Sequence, residues 1–495
     1  MLNAETLSDS RVPASHVVAC NRRPVRRDGR FVLYWMGAFR RTQWNFSLDR
    51  AVEWARRLQR PLVVLETLAC DGRWASLRHH RFVLDGMADT SRRLARSAAT
   101  YYPHVETRPG QSVRLAAALA KQACVVVADD FPMRAAADEL AAATSQAKVL
   151  VEKIDSNGLL PIRLANQAFP TAFAFRRYLQ KTLPDHLPDA PRQNALSGSR
   201  LPRLERLPAD VVRRWPPASD GLMKRDAAAK AGLPVNRSVE PAATTGGARA
   251  ATATLRKFLS ERLPIYAERR NDPQEEATSG LSPYLHFGHV SVHEVFRRLA
   301  EAEGWSPDRL AERATGGREG WWGMSEPAEA FLDELVTWRE VGFNMCSERE
   351  DYDKFESLPD WARRTLADHA KDRREHVYSL AEFESAATHD PLWNAAQTQL
   401  VREGRMQNYL RMLWGKKILE WTESPRDALD VMIELNNKYA LDGDDPNSYS
   451  GIFWVLGRYD RPWGPERPVF GKIRYMSSEN TARKFSVAGY VEKYA

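Results

Sequence analysis

The chain has 495 residues, of which 43% are hydrophobic and 27% are charged. At about 150 residues per domain this length accommodates roughly three domains, and the composition excludes a disordered, a collagen-like and a disulfide-rich protein. The net charge of +8 favours a polyanionic partner, although solvated lysines and arginines alone would give the same sum.

The N-terminal part of the chain alternates predicted strands with predicted helices. Residues 1–28 are polar and rich in arginine, and we expect a flexible tail there. Short apolar runs predict strands at 31–36, 61–65, 124–128 and 149–151, and helical spacing predicts helices at 48–58, 113–122 and 134–144. This alternation predicts an α/β domain over 29–178, with a Rossmann-like, doubly wound parallel sheet. No Gly-x-Gly-x-x-Gly follows the first strand, so the sequence does not identify a ligand for this domain.

The remaining chain predicts a linker followed by a helical domain. Residues 179–245 are rich in Pro, Asp, Ser and Arg, which is typical of an interdomain linker. Helical spacing dominates from 248 to 440, so we expect a larger all-α domain over 246–495 that becomes irregular beyond Gly464. Residues 461–495 carry seven basic and three acidic side chains interleaved with Trp463, Phe470, Tyr475, Phe485 and Tyr490. Cations beside flat rings favour a nucleic-acid-binding segment.

Metal binding and a membrane span are not expected. The four cysteines lie far apart without metal-ligand spacing, as in proteins of a reducing compartment. No apolar run approaches the roughly 20 residues that span a bilayer, and the first 30 residues contain no secretory signal. We therefore expect a soluble, cytoplasmic protein.

Several residue groups in the helical domain could carry chemistry, and each has a purely structural alternative. Thr278, Ser279, Gly280 and Ser282 precede a helix, where they could bind a pyrophosphate or simply cap the helix. Trp414 and Trp421 share one face of a predicted helix at 406–421, which suits either an electron relay or a core.

The other two groups combine polar side chains with tryptophans. Glu334 and Trp338 are four residues apart, so a heterocycle could stack on the indole and hydrogen-bond the carboxyl, although a solvated Glu beside a core Trp is equally compatible. Asn436, Asp442 and Trp454 fall within about twenty residues and could form a polar cluster or ordinary loop caps.

The order of these motifs is more specific than any one of them. Residues 278–285 (Thr-Ser-Gly-Leu-Ser-Pro-Tyr-Leu), 408–421 (Asn-Tyr-Leu-Arg-Met-Leu-Trp-Gly-Lys-Lys-Ile-Leu-Glu-Trp) and 467–476 (Arg-Pro-Val-Phe-Gly-Lys-Ile-Arg-Tyr-Met) resemble the photolyase/cryptochrome superfamily. The last two blocks resemble its class II cyclobutane pyrimidine dimer photolyases in particular. The resemblance implies a noncovalent FAD in the helical domain and blue-light-driven splitting of pyrimidine dimers in UV-damaged DNA.

The resemblance also implies roles for individual residues. The cofactor-binding residues would be Tyr266, Arg270, Thr278, Ser279, Gly280, Leu281, Ser282, Arg411, Asn436 and Asp442, with Asn436 facing flavin N5. Glu334 would hydrogen-bond the damaged bases within pocket walls formed by Trp338, Asn408, Met412 and Trp454. Trp414, Trp393 and Trp421 would form an electron relay, in that order from the flavin outward. Arg461 and Trp463 would enter the hole that the flipped-out lesion leaves in the duplex.

Other properties follow from the same resemblance. The N-terminal domain could hold a second, light-harvesting chromophore of deazaflavin or folate type, but no residues indicate which. We expect a monomer associated with the nucleoid through DNA. The alternative is a cryptochrome-like photoreceptor with the same flavin and no repair activity. The stretch 301–327 has no role in this interpretation.

Overall fold

The computed structural model describes residues 10–145, 147–224 and 232–495, which belong to two compact units. Among these described residues, the first unit comprises those within 10–164, 183–255 and 281–301, and the second comprises those within 165–182, 256–280 and 302–495. The described strands are β1 (Val17–Ala19), β2 (Phe31–Met36), β3 (Leu62–Leu68), β4 (Thr100–Val105), β5 (Ala123–Asp129) and β6 (Val151–Ile154).

The described helices follow in chain order. They are α1 (Phe46–Leu58), α2 (Leu77–Leu94), α3 (Gln111–Ala120), α4 (Arg134–Thr144), α5 (Ala172–His186), α6 (Ala209–Arg214), α7 (Ala248–Lys257), α8 (Tyr266–Arg269), α9 (Ser282–His286), α10 (Val292–Ala302), α11 (Glu326–Leu332), α12 (Arg339–Glu348), α13 (Asp360–Asp368), α14 (Leu380–Glu384), α15 (Pro391–Glu403), α16 (Asn408–Trp421), α17 (Pro425–Tyr439), α18 (Pro446–Val455), α19 (Ser478–Lys484) and α20 (Ala488–Tyr494). Two π-helical turns, Phe258–Arg262 and Asp333–Trp338, interrupt this pattern.

The first unit is built on a six-stranded sheet in the order β1-β6-β5-β2-β3-β4. All neighbouring strands are parallel except β1, which is antiparallel to β6. Every residue of β2 is buried, because its alternate side chains enter two separate hydrophobic clusters on opposite faces of the sheet. A strand buried on both faces reads as a continuous apolar run, which is why residues 31–36 were predictable.

The second unit is helical, and local capping fixes where its central helices begin and end. Asp390 accepts hydrogen bonds from the amides of Leu392 and Trp393 at the start of α15, and Gly404 ends that helix with a φ of 69°. The helices α15, α16, α17 and α18 pack against one another in turn. The predicted fold class, an α/β domain with a doubly wound sheet followed by a helical domain, is confirmed.

The compact units divide the chain differently from the predicted domains. Residues 183–255, which include most of the predicted linker, and residues 281–301 belong to the first unit, whereas 165–182 belong to the second. Residues 1–9 of the predicted tail lie outside the described residues, but β1 lies within that tail and pairs with β6. Backbone pairing of a short strand leaves little trace in composition, so the sequence did not reveal it.

The C-terminal segment is more ordered than we predicted, since α19 and α20 follow Gly464. Tyr490 and Tyr494 of α20 bond Gln399 and Glu403 of α15, and both rings are buried. Phe470 is buried as well. At least two of the five aromatic residues in the basic segment therefore pack in the core, so they are not free to stack on bases.

No helix in the described ranges has both the length and the apolar character needed to cross a membrane.

Candidate active site

One wall of the candidate site is a stretch of the second unit that is buried almost throughout. Between Phe331 and Cys346, only Glu334 and Trp338 are accessible to solvent. Both lie in the π-helical turn Asp333–Trp338, whose wider winding still places residues four apart on one face. The sequence predicted ordinary α-helical spacing for this pair, and the structure instead inserts a π turn, a feature frequent at functional sites.

The Glu334 carboxyl is both accessible and desolvated. Its side chain is 37% exposed, and Oε1 lies 3.4 Å from Nη1 of Arg270. Burial nevertheless raises the pKa of this carboxyl, against the opposing effect of Arg270. A group that solvent reaches while protein surrounds it lies in a concavity, where an approaching heterocycle would meet a preformed hydrogen-bonding group.

Arg270 joins two of the predicted residue groups. Its Nη1 donates to the Ala330 carbonyl at 3.0 Å, and its guanidinium lies 5.3 Å from the centroid of the Tyr266 ring. Its own carbonyl accepts a 2.7 Å hydrogen bond from Gln407, the residue that caps α16. The sequence assigned Arg270 to the cofactor, and the structure pairs it with the candidate catalytic Glu334.

Helix α16 presents one accessible face in its first turns. Asn408, Arg411 and Met412 are accessible on it, whereas every residue from Leu413 to Leu419 is buried. Because residues three and four apart lie on one side of an α-helix, the side chains of Asn408, Arg411 and Met412 form a continuous strip. The strip combines an amide, a cation and a thioether.

Three predicted cofactor-binding residues are connected through a short hydrogen-bonded cluster. Nη2 of Arg411 lies 3.3 Å from Oδ1 of Asp442, and the Asp442 carbonyl accepts a 2.7 Å hydrogen bond from Ser448. Nδ2 of Asn436 donates to the Ser448 hydroxyl at 3.3 Å and to Oδ1 of Asn437 at 3.0 Å. The cluster fixes the Asn436 amide in a buried position.

The predicted phosphate-binding block lies on a turn before α9. Thr278 and Ser279 are partly accessible, and the Thr278 carbonyl accepts a 3.2 Å hydrogen bond from Arg262. Gly280 has a φ of 67°, a left-handed conformation that a side chain would strain. The division between the two units falls after Gly280, so Leu281, which is buried, and Ser282, which opens α9, belong to the first unit.

The three relay tryptophans form one contact series. The rings of Trp393 and Trp414 are nearly parallel, with centroids 6.4 Å apart, and those of Trp393 and Trp421 are edge-to-face at 6.1 Å. Trp393 therefore lies between the other two, although it is on a different helix. Nε1 of Trp393 donates to the Trp414 carbonyl, and Nε1 of Trp414 donates to Oε1 of Gln397. All three are buried, but Trp421 also contacts the exposed His389.

Trp454 and Trp463 are linked by a cation that sequence reasoning did not single out. Trp454 is the only accessible residue between Ile452 and Tyr459. The Arg474 guanidinium lies 5.5 Å from the Trp454 ring centroid and 4.0 Å from that of Trp463, and Arg461 lies 4.4 Å from Trp463. The only sequence signal for Arg474 was its place among seven basic residues. Trp338, by contrast, contacts Tyr459, with ring centroids 6.5 Å apart.

Asp460 and Lys416 complete the surroundings of these two tryptophans. Asp460 binds Arg474 through hydrogen bonds of 2.9 and 3.1 Å and accepts a third from Nε1 of Trp463. Lys416 is fully buried, with Nζ 4.9 Å from the Trp454 ring centroid. Nothing in the sequence pattern indicated that Lys416 is buried, because it is one of two adjacent lysines, Lys416 and Lys417, on the same helix.

These residues have the chemistry that FAD would require. Hydroxyl groups and a left-handed glycine at 278–280 suit phosphate groups, and the fixed Asn436 amide and the Arg411 guanidinium suit the polar edge of a flavin ring. At Gly443 an added Cβ would lie 2.8 Å from Cα of Asn437, so this turn packs tightly against the amide cluster. The donor set therefore fits the group that the sequence motifs implied.

Comparison with known proteins supports the family resemblance that the sequence motifs indicated. No family model matches the chain. The deoxyribodipyrimidine photo-lyase of Methanothermobacter thermautotrophicus is 34% identical over 470 residues, which cover 94% of each chain. The chain belongs to the deoxyribodipyrimidine photo-lyase family. This membership makes the protein an enzyme of the lyase class.

Other members of the photo-lyase family are similar over most of their length. The Oryza sativa photo-lyase is 35% identical over 471 residues, which cover 93% of this chain and 86% of the relative. The fold also matches a solved bacterial class III photolyase from Agrobacterium tumefaciens, with a TM-score of 0.66 and 18% identity over 94% of this chain and 86% of that structure.

Proposed function

We propose that the protein is a light-driven DNA repair enzyme of the class II type, which splits cyclobutane pyrimidine dimers in UV-damaged DNA with FAD as its cofactor. The observation that carries the proposal is the wall formed by Glu334 and Trp338, the only accessible side chains in an otherwise buried stretch of sixteen residues, 331–346. Resemblance to photo-lyases over nearly the whole chain supports the reaction type.

FAD would be held by Tyr266, Arg270, the 278–282 turn, Arg411, Asn436 and Asp442. A reduced flavin held there would supply light-driven, one-electron chemistry for splitting the dimer. The residues of this chain position the reactants. Arg411, neutralised by Asp442, and the fixed Asn436 amide would orient the flavin edge, and the narrow turn at Gly280 lets backbone amides approach a phosphate.

The lesion would be flipped out of the duplex into the concavity beside Glu334. A dimer already pairs poorly, so extruding it costs less than extruding intact bases. Trp338 and Trp454 offer ring faces for stacking, while Asn408 and Met412 line the strip on α16. In its protonated form the Glu334 carboxyl would donate a hydrogen bond to a base carbonyl as negative charge develops there, and burial raises its pKa from the ordinary value.

Arg461 and Trp463 would occupy the gap left in the duplex, with the Arg474 guanidinium near the rings of both Trp463 and Trp454. The contact series of Trp414, Trp393 and Trp421 would conduct an electron inward from the surface near His389. We further propose that the protein acts as a monomer at the nucleoid. The first unit would hold any second chromophore, of deazaflavin or folate type.

The deciding experiment uses purified holoprotein, DNA containing one thymine dimer, a reductant and blue light, and it scores restored thymines. A dark sample and a sample without reductant serve as controls. Restored thymines only in the illuminated, reduced sample would support the proposal. Flavin binding and photoreduction without any restored thymine would instead favour a cryptochrome-like photoreceptor.

A further inference from the structure

The stretch 301–327, for which the sequence offered no role, contains a turn that is fixed on both sides. Oε1 of Gln180 accepts a 2.7 Å hydrogen bond from the Gly316 amide, and Nε2 of Gln180 donates to the Gly317 carbonyl at 2.9 Å. On the other side, the Glu329 carboxylate accepts hydrogen bonds from the amides of Gly320 and Met324. Such anchoring is unlike a loop that merely crosses a surface.

Arg176 attaches the same turn to the π-helical wall of the active site. It donates to the Gly316 carbonyl at 3.2 Å and binds Asp333 through hydrogen bonds of 2.7 and 3.1 Å. Asp333 directly precedes Glu334. The buried ion pair of Arg176 and Asp333 therefore holds the turn beside the candidate lesion site. The charge of Asp333 is already neutralised by Arg176.

Arg318 lies at the tip of this turn, exposed to solvent. Burial raises the pKa of the Glu334 carboxyl, and the positive charge of Arg318 is close enough to oppose that rise. An exposed guanidinium at the edge of a concavity can reach a ligand outside it without losing hydration in the free protein. Its sequence neighbour Glu319 is exposed too, so the tip carries one charge of each sign.

Helix α5 continues the surface next to Arg318. Phe173 is 56% exposed, which is unusual for so large an apolar side chain, and Arg177 follows one turn later. A Cβ added to Gly316 would lie 2.9 Å from the Phe173 ring and 3.2 Å from Cβ of Arg177, so both side chains pack directly against the turn. Gly316 also has a φ of 78°, which favours glycine.

We propose that Phe173, Arg177 and Arg318 form a second DNA-binding surface, which binds the DNA strand next to the flipped dimer. The proposal rests on the proposed repair function, because the lesion site defines which nucleotides lie alongside. An exposed aromatic face stacks on an unpaired base regardless of sequence, and two arginines bind the phosphates on either side. The C-terminal residues Arg461 and Trp463 then contact the duplex gap, and this surface contacts the strand next to the flipped dimer.

The test measures the affinity of the holoprotein for a labelled duplex with one thymine dimer and for the undamaged duplex, each at several salt concentrations. Arg318→Gln should reduce the slope of log affinity against log salt by about 0.7 to 0.9, the value for one phosphate contact. Arg318→Lys keeps the charge and should restore the slope. Phe173→Ala should weaken binding of the dimer duplex by about five- to a hundredfold.

Arg426→Gln is the matched control, because it removes an exposed arginine whose guanidinium is already paired with Glu356. It should leave the slope unchanged, and all variants should keep the flavin content of the parent. A parental slope in Arg318→Gln, or a Phe173→Ala effect confined to oligomeric state, would overturn the proposal. If the parent protein does not prefer the dimer duplex, the repair function fails instead, and the salt slopes on undamaged DNA still decide whether this surface binds.

Discussion

Replacing Lys416 with methionine should remove the part of the pH dependence of the free energy of unfolding that arises from a single buried amine. Lys416 is fully buried, and its Nζ donates to the Val455 carbonyl at 2.5 Å at the end of α18. Burial lowers the pKa of this amine from 10.5 to about 7, against the opposing charge of Asp460. The amine can keep its hydrogen bond to Val455 when neutral, because an uncharged amine still donates.

The sign and size of the effect follow from proton linkage. Between pH 7 and pH 10.5 the unfolded chain holds a proton on Lys416 that the folded chain has released, so stability rises with pH in that interval. At about 1.36 kcal/mol per pH unit, and with the folded amine still half protonated at pH 7, the gain is roughly 2 kcal/mol from pH 7 to 9 and roughly 4 kcal/mol over the whole interval. Below pH 7 the full cost of burying the charge applies.

Denaturant unfolding at pH 7, 8 and 9 measures this gain. Tryptophan fluorescence reports mainly on the second unit, which contains ten of the fifteen tryptophans. Comparing the parent with Lys416→Met cancels the titration of all other groups, so the variant should gain roughly 2 kcal/mol less than the parent between pH 7 and 9. Lys417→Met is the control, because Glu420 raises the pKa of Lys417 and keeps that amine charged throughout. Parallel curves for the parent and Lys416→Met would refute the reasoning.

Three further predictions concern the candidate site. Trp421→Phe should abolish light-driven reduction of oxidised flavin, followed by absorbance, while the chemically reduced enzyme still repairs. Trp305→Phe should leave both photoreduction and repair unchanged. Photoreduction that persists in Trp421→Phe would contradict the relay. Glu334→Ala should lower the repair rate about 10²-fold while flavin remains bound, because a preorganised group is lost where charge develops; release of flavin would mean that its role is misassigned. Gly280→Ala places a side chain at a φ of 67°. The free variant can relieve this strain of about 1–2 kcal/mol by leaving the binding conformation, so flavin affinity should fall by up to five- to thirtyfold in a titration, and unchanged affinity would remove this turn from the cofactor site.

The sequence predicted those elements whose burial is reflected directly in their composition. β2 was predictable because both of its faces are buried, whereas β4 was missed because Thr100, Pro103 and His104 break its apolar run. Pro103 is tolerated there because β4 is the edge strand of the sheet, a position that depends on strand order and not on local pattern.

The residues of the candidate site likewise divide into those that the sequence predicted and those that it did not. Motif order named most of its residues, and helical spacing placed Trp414 and Trp421 on one helix. Their relation to Trp393 depends on how α15 packs on α16, which periodicity does not encode. Arg474, Lys416 and Arg318 were missed because a cation acquires a role only through its neighbours, and those neighbours are distant in sequence. The pairing of Arg270 with Glu334 was hidden for the same reason.

The π turn at Asp333–Trp338 sets the spacing between the candidate acid Glu334 and the ring of Trp338. Such a turn holds one more residue than the α-helical turn it replaces, so it behaves as a single-residue insertion retained within a helix. Deleting Leu335 would convert the turn to a regular α-helix, and the helix on either side would keep its orientation because the π turn already absorbs the extra residue. Glu334 and Trp338 would then be three residues apart, still on one side of the helix. A change in chain length of one residue, with no change of residue type at either position, would therefore alter the spacing of the acid and the ring while keeping the face that they share.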